Sequence, residues 1–238
     1  MCGRFNSVAS GAEFAKVFNV DKVETELEAN YNVAPTTQVY ALVAQDNGQT
    51  NLLTLTSFHW GLVPPWAKDR KKAAGMINAR CETLTEKPSF KNLIARHRCV
   101  IPMQGFYEWS VVNSEEPTKQ AHYISRTDGE VMTVAGLWST WVDPNEKKVH
   151  GESAKQFKTC TIITTDANDV LRPIHHRMPV ILERDAVAKW LDLSENSPLG
   201  LLLSADNKIV QHEVTTRLER PRNVKSAQLS DDQTGRLF

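Results

Sequence analysis

The strongest constraint on the fold is a turn. Asp46-Asn47-Gly48 lies between two strand-like segments, Val39–Ala44 and Leu52–His59, and Asn-Gly tolerates the positive φ angles of a tight hairpin. Further strands are predicted at Cys99–Ile101, Gly105–Val111, His122–Arg126, Val131–Trp141, Thr159–Thr164 and Ile209–Val214, with Asp128-Gly129 as a turn between His122–Arg126 and Val131–Trp141. Helices are few and short. Ser10 and Glu13 spell a capping box ahead of Phe14, Val17 and Phe18. Phe90–His97 and Glu183–Leu191 carry helical patterning, and Pro198–Leu203 has Ser197 as cap and proline at its first position. Residues 21–28 read as an acidic, solvated stretch. Residues 63–75 read as a basic loop, because Pro64 and Pro65 break both kinds of backbone ladder. Strands dominate without a β-α-β rhythm. The predicted class is therefore α+β, a mostly antiparallel, barrel-like sheet with short peripheral helices. No linker divides residues 1–238, so one domain is expected, with residues 228–238 as an irregular tail.

A chain of 238 residues can bury roughly 70–75% of its unfolded surface, so neither a disulfide-stapled miniature nor a disordered tail fits. Apolar runs fall far short of the ~20 residues of a membrane span. Met1–Ser10 has no basic region followed by an apolar one, and no secretion is expected. Cys2, Cys81, Cys99 and Cys160 are scattered without a C-x-x-C pair. They read as reduced thiols rather than zinc ligands, and neither metal nor cofactor is expected. The 28 Lys and Arg balance the 28 Asp and Glu, which argues against wholesale electrostatic binding of nucleic acid but is silent on local patches.

Cys2 directly follows Met1. Loss of the methionine would leave a free amine and a thiol on adjacent carbons, with reference pKa values near ~8 and ~8.5. A 1,2-aminothiol condenses with an aldehyde to a Schiff base, and its sulfur then closes a thiazolidine. The same terminus could instead be a nucleophile on an amide. The plain alternative is an incidental residue at a frayed end.

Other clusters bear on the choice. Residues 66–98 hold nine Lys/Arg (68, 70, 71, 72, 80, 87, 91, 96, 98) against three acids (69, 82, 86), with Trp60 and Trp66 close by. Such a strip suits a single strand, whose phosphates attract cations and whose bases stack on indoles. A solvated face with core tryptophans would look the same. Arg217, Arg220, Arg222 and Lys225 add charge in the tail. In Phe106-Tyr107-Glu108-Trp109, alternation puts Glu108 on the face of Phe106, where desolvation favours general acid–base work; the alternative is an edge-strand glutamate facing water. His175-His176 supplies groups that exchange protons near pH 7. A metal role is disfavoured because adjacent histidines on an extended segment point apart.

MCGRF at 1–5, YNVAP at 31–35, WGLVPPWA at 60–67, INARCET at 77–83, GFYEW at 105–109 and IHHRMPVIL at 174–182 together resemble the SRAP family, the SOS response-associated peptidases or abasic-site processing proteins. NVK at 223–225 resembles the family's C-terminal element. The resemblance implies a twisted β-barrel-like core, a basic groove for single-stranded DNA, and covalent capture of abasic sites. By it, Cys2 is the cross-linking residue and Asn78 orients the amine and sugar. Glu108 assists ring opening, and His175 steers Schiff-base and ring-closure steps. Arg4 and Arg80 contact phosphates, while Pro35 and Trp66 shape the strand's path. Lyase activity, removal of Met1 and a monomeric state are expected with it. So is a cytoplasmic, nucleoid-associated location, or a nuclear one in a eukaryote. Two positions depart from a common pattern: His176 stands where many members carry Asp, and Gln104 where an acid is frequent. The rivals are an N-terminal-nucleophile glutaminase and a non-catalytic single-strand-binding module.

Overall fold

The computed structural model describes residues 2–46, 51–73, 75–111, 119–194, 198–202 and 209–214. In chain order these form β1 (Arg4–Ser7), α1 (Gly11–Phe18), β2 (Lys22–Val23), β3 (Asn30–Val33), β4 (Gln38–Asp46), β5 (Asn51–Trp60), α2 (Arg70–Ala73) and β6 (Asn78–Arg80). There follow β7 (Arg98–Met103), β8 (Gly105–Val111), β9 (Lys119–Arg126), β10 (Met132–Val142), α3 (Pro144–His150), β11 (Gln156–Asp166), β12 (Arg177–Pro179), α4 (Arg184–Leu191) and β13 (Ile209–Val214).

β4 and β5 pair antiparallel from Gln38↔His59 to Asp46↔Asn51, as the hairpin signal predicts; its turn, residues 47–50, lies outside the described residues. The hairpin is part of a closed barrel. β5, β4, β7, β10 and β11 follow one another antiparallel, and β5 then meets β11 in parallel at Thr159↔His59 and Cys160↔Trp60. Closure removes the free edges a flat sheet would leave. A second sheet, ordered β13-β9-β8-β1-β3, lies against it. Strand alternation sorts the side chains of β4. Val39, Ala41 and Val43 join Cys2, Phe5, Trp60, Phe106 and Ile162 in one core, while Tyr40 and Leu42 join Phe14, Leu55, Val100, Ile163 and Trp190 in another. Gly105 starts β8 because a Cβ there would stand 2.4 Å from the Ile124 carbonyl oxygen.

Several expectations need correction. Phe90–His97 is a run of turns, not a helix. The turns are held by bonds three residues apart, such as the Leu93 N–H on the Phe90 carbonyl oxygen at 2.8 Å, and Arg98, 2% exposed, takes the carbonyl oxygens of Ile94, Ala95, Trp190 and Asp192 with its guanidinium. Arg98 thereby leaves the cationic strip. In place of the Pro198–Leu203 helix, the described residues show a 3-10 turn at Leu199–Leu202. Residues 21–28 are tied down rather than merely solvated. Glu26 accepts from the Tyr40 hydroxyl at 2.9 Å and the Gly11 N–H at 2.8 Å, and Asp21 accepts from the Leu53 N–H at 2.7 Å. The 63–75 loop contains the single helical turn α2.

Candidate functional site

β1 runs antiparallel to β8, with Arg4 opposite Tyr107 and Phe5 opposite Phe106. That register draws the residues before Arg4 along the middle of β8. Cys2 is fully buried there, in the core that holds Phe5 and Phe106. Burial, and then the nearby Glu108 carboxyl, push its thiol far above the usual cysteine range. The sulfur is therefore a neutral S–H at physiological pH, and Cys2 is no frayed end.

β6 lies parallel on β11, with Asn78 opposite Ile162 and Arg80 opposite Thr164. This short strand carries Asn78 to the N-terminus of the chain, where its Nδ2 donates to the Cys2 carbonyl oxygen at 3.0 Å. The Asn78 Oδ1 is buried with no hydrogen-bond partner among the described residues. Leaving such an acceptor unpaired costs about 1–3 kcal/mol, the kind of deficit a bound ligand relieves.

Glu108 is 5% exposed. β8 lies between β1 and β9, so Glu108 is not on an edge; His122 of β9 stands opposite, with its Nε2 2.8 Å from the Ser110 hydroxyl. Tyr107 and Trp109 pack on the other face, as the alternation predicts.

His175 is half-buried on the turn before β12. Its Nδ1 lies 2.9 Å from the Arg177 backbone nitrogen and 3.2 Å from the Arg177 carbonyl oxygen, so the backbone of Arg177 holds that edge of the ring. Burial lowers its pKa, while the Glu108 carboxyl works against that shift. Glu108 thus acts electrostatically on Cys2 and His175 alike. The two histidines do not point apart. Their rings stack at 4.5 Å and 22°, because the chain turns rather than extends here, and His176 is the exposed partner. No group of three or more potential metal ligands occurs among the described residues.

The sequence reading missed the role of Arg177. Its guanidinium grips both Glu82 oxygens at 2.7 and 2.9 Å, Asp166 at 2.6 Å and the Thr164 carbonyl oxygen at 2.7 Å. Glu82 sits in the turn directly after β6, so this clamp joins the strand bearing Asn78 to the segment bearing His175. An arginine directly before the apolar run Met178–Leu182 was the available signal.

Around this centre, Arg4 donates to the Asn32 Oδ1 at 3.0 Å, Arg80 is exposed at the end of β6, and Pro35 is half-buried beside it in sequence to Thr36, whose φ is +69°. Trp66 is 65% exposed, which suits a stacking platform. Trp60 does not serve that way. It is fully buried, its ring 5.1 Å from Phe5 and its indole N–H on the Ile77 carbonyl oxygen. Lys68, Arg70, Lys71, Lys87, Lys91 and Arg96 are exposed. The tail cations and NVK lie outside the described residues.

A family model described as SOS response associated peptidase (SRAP) matches residues 1–221. The chain belongs to the SRAP family. Among relatives of this SRAP chain is the Bacillus subtilis protein named "Abasic site processing protein YoaM", 37% identical over 97% of this chain and 98% of its own. Another is "Abasic site processing protein HMCES" of Xenopus tropicalis, 32% identical over 82% of this chain and 64% of its own. A crystal structure of a Bacteroides thetaiotaomicron protein superposes with a TM-score of 0.75 at 26% identity, covering 90% of this chain and 92% of that one. In this SRAP chain Gln104 has a structural task, since its side chain accepts the Val8 N–H at 2.9 Å.

Proposed function

We propose that this protein captures abasic sites in single-stranded DNA through a covalent bond to Cys2, once Met1 is gone. Abasic-site processing is supported by the names of its relatives. The observation that carries the chemistry is the seating of Cys2, with Asn78 on its carbonyl oxygen and Glu108 beside its thiol.

An abasic deoxyribose is mostly a closed hemiacetal. Glu108 exchanges the proton that opens it to the aldehyde. The Cys2 amine, oriented through Asn78, attacks C1′, and water leaves to give a protonated Schiff base. The buried thiol is not a thiolate, so nitrogen reacts first. Sulfur then bonds to C1′, its proton passes to the Glu108 carboxylate or to solvent, and a thiazolidine results. His175 steers these proton transfers. If sulfur does not close, the Schiff base loses a proton from C2′, the 3′ phosphate departs, and the strand is nicked. That is the lyase activity. Arg4 and Arg80 hold phosphates, and Pro35 and Trp66 shape the strand's path, with Trp66 as the stacking platform. A missing base removes the need to extrude one, a source of selectivity. Removal of Met1 is met by the chain's own peptidase chemistry or by a separate aminopeptidase.

Release of ammonia from glutamine without any DNA adduct would favour the glutaminase reading. A denaturing gel of Met1-free protein with abasic single-stranded and duplex oligonucleotides tests the proposal. A heat-stable band of summed mass, absent with Cys2→Ala, is expected. No band, or an unchanged band from Cys2→Ala, would overturn it. Binding that ignores the abasic site would favour a non-catalytic module.

A further inference from the structure

Where the barrel closes, β5 and β11 share only two residue pairs, His59 with Thr159 and Trp60 with Cys160. Successive strand residues face opposite ways. Trp60 enters the core that contains Cys2, and His59 faces outward. On that outer side a cavity of about 430 Å3 opens, lined by Thr36, His59, Arg70, Lys71 and Phe157. This is an ordinary size for a small-ligand pocket.

Its chemistry is specific. The rings of His59 and Phe157 lie 5.0 Å apart, and the Arg70 guanidinium stands 4.9 Å from the Phe157 centroid. Two aromatic rings and two cations line it, without a carboxylate among the described residues. Burial, and then Arg70, hold the His59 pKa below its usual value, so the ring is uncharged near neutrality. Thr36, a β-branched residue, is held at a left-handed φ of +69°, strain of a kind concentrated at ligand sites. Thr36 follows Pro35, and Arg70 lies on the same loop as Trp66, so the lining adjoins in sequence two residues already assigned to the strand.

We propose that this cavity is a nucleotide subsite, stacking one base that flanks the abasic position against Phe157 and His59 and holding its phosphate with Arg70 and Lys71. The inference rests on the single-strand reading above and adds to it a base-dependent contact away from the reacting sugar.

The test uses abasic single strands of fixed length in which flanking nucleotides are replaced, one position at a time, by an unreactive tetrahydrofuran spacer. The half-saturating strand concentration is read from cross-linking and, without any reaction, from fluorescence anisotropy. With the wild-type protein, the spacer at one position should raise that concentration five- to tenfold. In Phe157→Leu and in Arg70→Gln the ratio should fall to near one; Arg70 is exposed, so its variant folds regardless. Ratios near one at every position in the wild type, or a penalty that persists in both variants, would overturn the subsite. Failure of the wild type to cross-link would overturn the covalent reading alone, because anisotropy still decides the subsite.

Discussion

Asn78 donates its side-chain N–H to the backbone carbonyl oxygen of Cys2 at 3.0 Å, joining residues 76 positions apart. The contact fixes the first peptide unit of the described chain, and with it the direction from which a Cys2 amine approaches a carbon. Asn78→Ala should therefore slow cross-linking by about 10- to 100-fold, in line with the loss incurred when a reacting group is misplaced by about 1 Å. Single-turnover rates on an abasic strand check this. A rate within twofold of wild type would show that Asn78 does not orient the terminus.

Cys2→Ser keeps an amine and replaces sulfur with a poorer ring-closing atom. The Schiff base should still form and be trapped by borohydride, while the heat-stable adduct falls by at least about 100-fold and nicking rises. Gels run with and without reductant separate the two products.

Glu82→Gln removes a charge from the Arg177 clamp. The Arg177 side chain is 6% exposed, whereas Glu82 is 47% and Asp166 85% exposed, so solvent screens part of the loss. About 1–2 kcal/mol of stability should go, and Arg177→Ala should cost about 3 kcal/mol or more. Denaturant titration measures both. Cross-linking by Glu82→Gln should slow as well, because the clamp aligns the Asn78 and His175 segments.

Acid should weaken the fold in two stages. His59, His97 and His175 are each held below the usual histidine value of 6.5, burial first among the causes. Their protons bind more readily in the unfolded chain, so their contribution is complete above about 6.5 and falls away as pH drops through that value. Glu82 and Asp128 are pulled down to about 2, first by hydrogen bonds from Arg177 and Arg126. Their contribution is present above about 4.5 and lost as pH falls toward about 2. Tm measured from pH 7.5 to 2.5 should show both declines.

Trp66→Ala should leave Tm unchanged, since the indole is 65% exposed, yet weaken single-strand binding by about 1–3 kcal/mol, roughly 5- to 150-fold. Anisotropy with a labelled oligonucleotide checks it.

Local grammar was readable wherever it agreed with tertiary demand. The Ser10–Glu13 box is present with both reciprocal bonds, β8 spans Gly105–Val111, and β13 spans Ile209–Val214, each as predicted. Alternation also separated Glu108 from Tyr107 and Trp109. What failed depends on distant partners. Phe90–His97 has helical spacing, but it folds as successive turns, with the Phe90 N–H on the Lys87 carbonyl oxygen and the Leu93 N–H on that of Phe90. Trp60 and Trp66 look alike in sequence, and only barrel closure decides which is buried. The helix Pro144–His150 was overlooked although Asp143 caps it through the Asn145 N–H at 2.9 Å with proline following. At the site, Cys2, Asn78, Glu108 and His175 could be named from their residue types and the family pattern. Arg177 could not, because its task is set by carboxylates 11 and 95 positions away.

β11 touches β5, β6, β10 and β12, and it begins only at Gln156. During synthesis the amino end leaves the ribosome first, yet the strand that shuts the barrel and docks the Asn78 segment emerges among the last. Pairings this remote in sequence form late. A half-made polypeptide that had already lost Met1 would carry its aminothiol without the scaffold that directs it. Reactivity toward stray cellular aldehydes would stay that of any loose peptide end until β11 has emerged.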